Sequence, residues 1–458
     1  MTTRELADFT SALTFDKLLP RSREMAKRCI LDWLSLAIRG SREKPAAILR
    51  QVMDRGAAPE ATIFAAPPER ASVYGAAMAN AAASHSLDFD DLHNPSIIHL
   101  ACVVVPGVIA MAEKERASGR DILTAVCAGY EAGARVGEAV IPESYFFWHT
   151  TGTAGTFGAA AAAANLLRLD PRQTLMCYGT AGTQAAGLWE FLKEGAMSKS
   201  LHAGKSAYAG VLSAYLSRAG FTGAGHILEG EKGFCRAMVE EPHLEKLTEG
   251  LYSGKLKIDD NSFKPYACCK HSHSALNALQ ELRRENGLQP EDIEAVTLLV
   301  NSITDSLINN PKPENPYGAK FSLQYCAATM LVNGVAGVEQ FTAEALEDSA
   351  ARQLMERITV TPSPELEQLY RENPERLASR VVIRLKDGRT LEKQIDYPKG
   401  DPQNPFTWQE AEEKFMHLAA PLYGEETSGS LIRLVERLDR CDDFPAALAE
   451  ILGQPGTV

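Results

Sequence analysis

Ten histidines occur in the chain, and seven fall in or beside a few dense polar clusters set in otherwise apolar helical sequence. The first cluster is His85-Ser-Leu-Asp88-Phe-Asp90-Asp91-Leu-His93, followed by His99 and an apolar run to Pro106. Imidazoles and carboxylates at such spacings can ligate a metal or trade protons, and they can equally be an acidic helix end that caps backbone amides. No ligand motif of defined spacing is complete, so no metal is assigned. The second cluster, Trp148-His149-Thr150-Thr151-Gly152-Thr153-Ala154-Gly155, opens an Ala-rich helix. Free amides at a helix start beside a His and three Thr hydroxyls suit a carboxylate or phosphate, although the same threonines can be caps and the glycines mere packing devices. In Lys199-Ser-Leu-His202 a fixed cation and a titratable ring share one helical face. The fourth cluster, Asn261 to His273, holds Lys264, Cys268, Cys269, Lys270, His271 and His273 where the composition changes, and sites tend to lie between domains. Adjacent thiols chelate poorly, so Cys268 and Cys269 read as small lining residues. Tyr325, in Ala319-Lys-Phe-Ser-Leu-Gln-Tyr325, is either a core aromatic or a hydroxyl donor.

The elements that must position these clusters are mostly helices. Met25, Cys29, Trp33 and Ala37 recur every fourth residue between Ser22 and Gly40, which is one apolar helical face. Tyr74 to Ser84, Ile122 to Val140, Gly152 to Leu167 and Gly179 to Phe191 are rich in Ala and Gly, predicting tightly packed central helices. Beyond residue 262 the pattern changes. Ile293 to Val300 and Ile358 to Thr361 read as strands, and Val381 to Leu385 with Leu391 to Ile395 flank Asp387-Gly388, a hairpin signal. Helical patterns at Ser274 to Glu285 and Phe321 to Asn333 complete a small α/β unit. The Pro-rich Tyr397 to Pro405 ends it, and Thr407-Trp-Gln-Glu410 is a capping box opening a helical tail that should pack back on the N-terminal helices.

Composition narrows the classes. With 458 residues, 45% hydrophobic and 23% charged, the chain is of globular type and long enough for two or three domains. A net charge of −12 gives no footprint for nucleic acid or an anionic membrane, so an acidic ligand needs local positive charge. Nine cysteines without a C-x-x-C pair, and an N-terminus without an apolar h-region, point to the cytoplasm. The charge-free run Ser144 to Leu167 is rich in Ala and polar residues and reads as a buried helix rather than a membrane span.

Taken in order, SHSLDFDDLH, His99 with Pro106, WHTTGTAGTFGAAAAAANLL, SKSLHAGKSA, FKPYACCKHSHSAL and AKFSLQY resemble the MmgE/PrpD family over nearly the whole length. This family includes 2-methylcitrate dehydratase, cis-aconitate decarboxylase and iminodisuccinate epimerase. The resemblance implies a mainly α protein: a large all-helical domain from both chain ends, residues 1–262 and 399–458, and a smaller inserted α/β lid, residues 263–398. It also implies a homodimer and a cofactor-free site at the interdomain cleft that acts on a small di- or tricarboxylate. The family's site residues fall on Asp88, His99, His149, Lys199, Lys264 and Tyr325, with His202, Lys270, His271 and His273 added as substrate-binding candidates.

Two positions depart from the family pattern: Leu92 follows DFDD where the decarboxylases carry Thr, and Cys269 stands where a His follows the lysine. Removing a proton beside a carboxylate builds a dianionic enediolate, which needs cations and donors already in place. Lys199, Lys264 and the Gly152 helix start would supply that field. His99 and His149 are the acid/base pair, Asp88 orients a His or Lys, and Tyr325 donates to a substrate oxygen. The leading expectation is a 2-methylcitrate dehydratase-like lyase, with decarboxylation and epimerisation as alternatives. A catalytically silent binding homologue, favoured by Leu92 and Cys269, is the expectation from another class.

Overall fold

Several helix starts follow caps that the sequence supplies in the computed structural model, which describes residues 2–52 and 58–453. Two compact units emerge: one comprises residues up to Ser262 with those from Thr407 onward, the other Phe263–Phe406. The first unit begins with α1 (Thr2–Ser11), α2 (Pro20–Gly40) and α3 (Lys44–Val52). A two-stranded ribbon, β1 (Ala61–Ile63) and β2 (Glu69–Ala71), precedes α4 (Val73–His85), α5 (Leu100–Glu115) and α6 (Gly119–Glu138). Then come α7 (Ala154–Leu166), α8 (Pro171–Gly182), the single turn α9 (Phe191–Glu194), α10 (Ser198–Arg218) and α11 (Phe234–Met238). Ser72 caps α4, and reciprocal boxes, Ser118 with Asp121 and Asp170 with Gln173, start α6 and α8. Each cap is worth about 1 kcal/mol.

The small-residue helices lie at the centre, as their composition predicts. Every residue of α7 except Asn165 is buried. A Cβ added at Gly158 would lie 2.9 Å from the Gly129 carbonyl oxygen and 3.2 Å from Gly133 Cα, so α6 and α7 touch backbone to backbone. Gly210 brings α10 equally close to α7 at Ala159. The expected helix from Gly179 to Phe191 does not form. α8 stops at Gly182, where Gly179 and Gly182 press against Ala224 and Ile227, and residues 183–190 run on as a loop. The Gln184 and Ala186 carbonyls turn outward to Lys205 Nζ, at 3.0 and 3.1 Å, instead of continuing a helix. The β1–β2 ribbon was not legible, being too short to display alternation. The charge-free run 144–167 is divided by the Trp148–Thr153 turn, and among the described residues no helix is long and apolar enough to cross a membrane.

The second unit contains α12 (His273–Asn286), β3 (Ile293–Val300), α13 (Ser302–Ile308), α14 (Pro316–Ala319) and α15 (Leu323–Asn333). These are followed by α16 (Ser349–Met355), β4 (Ile358–Pro362), α17 (Pro364–Glu372), β5 (Ser379–Leu385) and β6 (Thr390–Ile395). The sheet order is β4-β3-β5-β6, with β3 parallel to β4 and both β5 pairings antiparallel. Val296, Leu298 and Val300 alternate inward, and α12 covers the sheet with Ala275, Leu276, Leu279 and Leu282. The Asp387-Gly388 turn joins β5 to β6, with Gly388 at φ 88°, as expected of that dipeptide. The chain then returns to the helical unit as α18 (Trp408–Tyr423), α19 (Glu425–Glu436) and α20 (Phe444–Leu452). Thr407 and Glu410 form the expected capping box, and α18 packs on α2.

Candidate active site

α4 ends at His85, and the next residues form a tight loop in which Asp88 adopts φ 55°. That left-handed conformation is uncommon for a residue with a Cβ but least so for Asp and Asn. It is held by Lys199 at the start of α10, whose ammonium lies 2.5 Å from Asp88 Oδ1. Two residues on, Asp90 is fully buried and serves two imidazoles: His85 Nδ1 lies 2.7 Å and His99 Nδ1 3.3 Å from its Oδ2. The His99 Nδ1 proton goes chiefly to the Asp91 carbonyl oxygen at 2.7 Å. The Asp91 side chain points the other way, accepting from Tyr130 Oη at 2.6 Å and from the Ala101 amide.

The rings form a continuous row. His85 meets His99 edge-on with centroids 5.0 Å apart and stacks on His149 at 5.4 Å, with 13° between the planes. His149 Nδ1 and His202 Nδ1 are 3.2 Å apart, and Trp189 and Phe191 close the apolar side. Two polar atoms in this row, His85 Nε2 and Trp189 Nε1, are buried without a hydrogen-bond partner. A cavity of about 680 Å³ opens beside His202 and Lys205, walled by Trp148, Leu188 and Phe191.

Burial sets the charges. It pushes the His85 ring down to about 4, outweighing Asp90, which pulls upward. His149 is driven well below the usual range by burial and then by the neighbouring His85 and Lys199, and burial with Lys205 lowers His202 to about 4. Burial alone would raise the Asp90 carboxyl, but His99 and His85 hold it well below its ordinary value. Asp91 is pushed up to about 8 by burial and by Asp90 and Asp32. Near neutral pH the His85, His149 and His202 rings are therefore neutral, beside one ionised carboxylate, Asp90. The Lys199 charge, expected to form a cationic cradle, is matched by Asp88.

The helix start at Gly152 also differs from expectation. The amides of Gly152, Thr153, Gly155 and Thr156 all donate to carbonyls within the His149–Thr153 turn, so these four are not available to an anion. Lys205 fastens this turn to the 184–186 loop through the Gly152, Gln184 and Ala186 carbonyls. His85 and Asp90 were missed as a pair because five residues separate them across a helix end, a spacing with no periodic signal. Among the described residues, the three-member set that could hold a cation is His85, Asp90 and His99, whose donor atoms lie within 4.8 Å of one another. Asp88 and His93 of the same cluster do not join this set. Asp88 turns to Lys199, and His93 Nδ1 bonds Ser96 Oγ at 2.8 Å.

The remaining candidates belong to the α/β unit. Lys270 is buried and bonds Asp401 Oδ1 at 2.5 Å, and Lys264 is buried nearby in sequence. His271 Nδ1 lies 2.8 Å from Thr304 Oγ1, and His273 Nε2 lies 3.2 Å from the Cys268 carbonyl oxygen. Tyr325 is 2% exposed and donates its hydroxyl proton to the Gln340 carbonyl at 2.6 Å, the geometry of a core tyrosine.

Sequence comparison matches the MmgE/PrpD N-terminal domain over residues 4–247 and the MmgE/PrpD C-terminal domain over residues 266–440. The chain belongs to the MmgE/PrpD family. Among its MmgE/PrpD relatives, the cis-aconitate decarboxylase of Homo sapiens is 27% identical over 460 residues, 96% of this chain and 92% of its own length. That of Aspergillus terreus is 27% identical over 481 residues, 99% and 96% of the two chains. A cis-aconitate decarboxylase-like protein of Aspergillus oryzae is 28% identical over 405 residues, 83% and 82%. This MmgE/PrpD chain is accordingly an enzyme of lyase type. Of the two departures noted above, Leu92 is buried and exchanges backbone hydrogen bonds with Ser262, while the Cys269 amide donates to the Lys320 carbonyl.

Proposed function

We propose that the chain is an acid/base lyase that cleaves a bond next to a carboxylate of a small di- or tricarboxylate, with cis-aconitate as the substrate to test first. The observation that carries this reading is the buried Asp90 carboxylate shared by His85 and His99, beside the Asp88–Lys199 pair. The decarboxylase-named relatives, matched over nearly full length, favour loss of carbon dioxide over the dehydration that family resemblance put first.

In a decarboxylation the bond to the departing carboxylate breaks and its electron pair moves through the adjacent double bond toward a remaining carboxylate. A proton is then delivered to carbon, and water later restores it to the enzyme. His99, 12% exposed in its side chain and fixed through Nδ1, presents Nε2 as the proton-transfer atom. Asp90 fixes the tautomer of His85, and His149 relays to His202. Lys199, tethered by Asp88, faces the substrate carboxylate. Such acid/base groups typically contribute 10²- to 10⁴-fold each. From the α/β unit, Lys264, Lys270, His271, His273 and Tyr325 enter by family resemblance, and their individual replacement is part of the test. A cytoplasmic homodimer belongs to the same proposal and is checked by sedimentation.

The deciding experiment offers cis-aconitate, 2-methylcitrate, citrate and iminodisuccinate separately to the purified protein and identifies the products by NMR. Release of carbon dioxide from cis-aconitate is the expected result. Loss of water would make it a dehydratase, inversion an epimerase, and inertness toward all four would leave a silent homologue. Dependence of turnover on stoichiometric zinc or iron would reassign His85, Asp90 and His99 as ligands.

A further inference from the structure

The loop that carries Asp88 and Asp90 is anchored from the far end of the chain. Lys414 lies on α18, and its side chain is 8% exposed. Its ammonium donates to Asp32 Oδ1 at 2.7 Å and to the Phe89 carbonyl oxygen at 2.8 Å, and sits 3.9 Å from the centre of the Phe89 ring. Phe89 separates Asp88 from Asp90, so one cation grips the peptide that joins the two carboxylates. That grip matters because Asp88 is at φ 55°, a conformation that persists only when its surroundings over-determine it. Asp32 is a buried carboxylate on α2, which burial pushes up and Lys414 pulls back. Without Lys414 it would be an uncompensated charge. Asp90, on the same loop, adds negative charge that faces Asp32, while Asp91, pushed up to about 8, joins Tyr130 and Cys29 as a neutral titratable group packed alongside.

We propose that Lys414, with Asp32 as its counter-ion, is a positioning residue for the acid/base site. It fixes the Asp88–Asp91 loop and with it the tautomer and orientation of His85, through the Asp90 carboxylate, and of His99, through the Asp91 carbonyl. The kinetic consequence rests on the lyase reading above, whereas the positioning itself can be read without turnover. An error of about 1 Å in such a constellation typically costs on the order of 10²-fold in rate.

The test uses the full-length protein, labelled with ¹⁵N at histidine, as wild type, Lys414→Met, Lys414→Arg and Asp32→Asn. Imidazole ¹⁵N NMR is combined with kcat and KM for cis-aconitate. In Lys414→Met the His85 and His99 signals are expected to change tautomer or shift, while those of the exposed His226 and His243 stay in place. Its kcat is expected to fall roughly 10- to 100-fold with KM little changed. Lys414→Arg should recover most of both readouts, because a guanidinium can bond the same two oxygens. A folded Lys414→Met with unchanged imidazole signals overturns the proposal. If Lys414→Met does not fold, Asp32→Asn decides: shifted His85 and His99 signals support the proposal, and unshifted ones refute it. A wild type that turns over nothing defeats the lyase reading alone, since the NMR comparison still settles the positioning.

Discussion

Replacing Asp90 by Asn probes the site by exchanging a single heavy atom, a carboxylate oxygen for an amide nitrogen. The carboxylate Oδ2 accepts the Nδ1 proton of His85 at 2.7 Å and lies 3.3 Å from His99 Nδ1. An amide is nearly the same shape, but if its NH₂ faces His85 the ring must surrender the Nδ1 proton and carry it on Nε2. Inverting a histidine tautomer in this way costs up to about 10⁴-fold in the serine-protease case, and simple loss of an acid/base partner about 10²-fold. We therefore expect kcat to fall by about 10³-fold, equivalent to ~4 kcal/mol of barrier at 1.36 kcal/mol per decade. KM should change far less, because Asp90 is buried beneath the imidazoles rather than placed against the substrate. The assay is steady-state turnover of cis-aconitate by Asp90→Asn and wild type between pH 5 and 9, with circular dichroism to establish folding. A folded Asp90→Asn enzyme within threefold of wild type would refute the shared-carboxylate argument.

Other expectations follow from burial and packing. His93 is buried and held neutral in the fold, its pKa lowered to about 3 by burial and by Lys257 and Lys255, whereas an unfolded chain protonates it near 6.5. Its contribution to stability is thus fully present above pH 6.5 and lost progressively as pH falls toward 3. The loss is about 2 kcal/mol by pH 5, so His93→Gln should flatten the acid side of a urea-denaturation series. Gly158→Ala would set a Cβ 2.9 Å from the Gly129 carbonyl oxygen and should destabilise the α6–α7 contact by about 1–3 kcal/mol in the same assay. A polycarboxylate entering beside the neutral His85, His149 and His202 rings raises their pKa. Binding should therefore take up protons, visible as calorimetric heats that change with buffer ionisation enthalpy, and independence from buffer would count against the row as the binding site.

Much of the architecture was readable because it rests on local signals. The Thr407–Glu410 box, the Asp387-Gly388 turn and the Ala/Gly composition of α7 each act through neighbours in sequence or through a face of constant period. The site was only half legible for the same reason. His99, His149, Lys199 and Asp88 stand out as polar residues in apolar surroundings, but their pairing is a tertiary fact. Nothing in the spacing says that Asp88 turns to Lys199 while Asp90 turns to His85. Nor could spacing tell that the Gly152 amides are consumed within their own turn, or that Lys414 reaches the DFDD loop from more than three hundred residues away. The loop at 183–190 was misread because glycine and alanine serve close packing in a helix and equally well outside one.

The central claim is that this imidazole–carboxylate row moves a proton to carbon. It is tested most directly by turning over cis-aconitate in D₂O and locating the label by NMR. The account predicts one deuterium on the carbon that receives the electron pair, carbon dioxide in equal amount, and neither from Asp90→Asn. Product free of carbon-bound deuterium, or undiminished labelling by the Asp90→Asn enzyme, would contradict it.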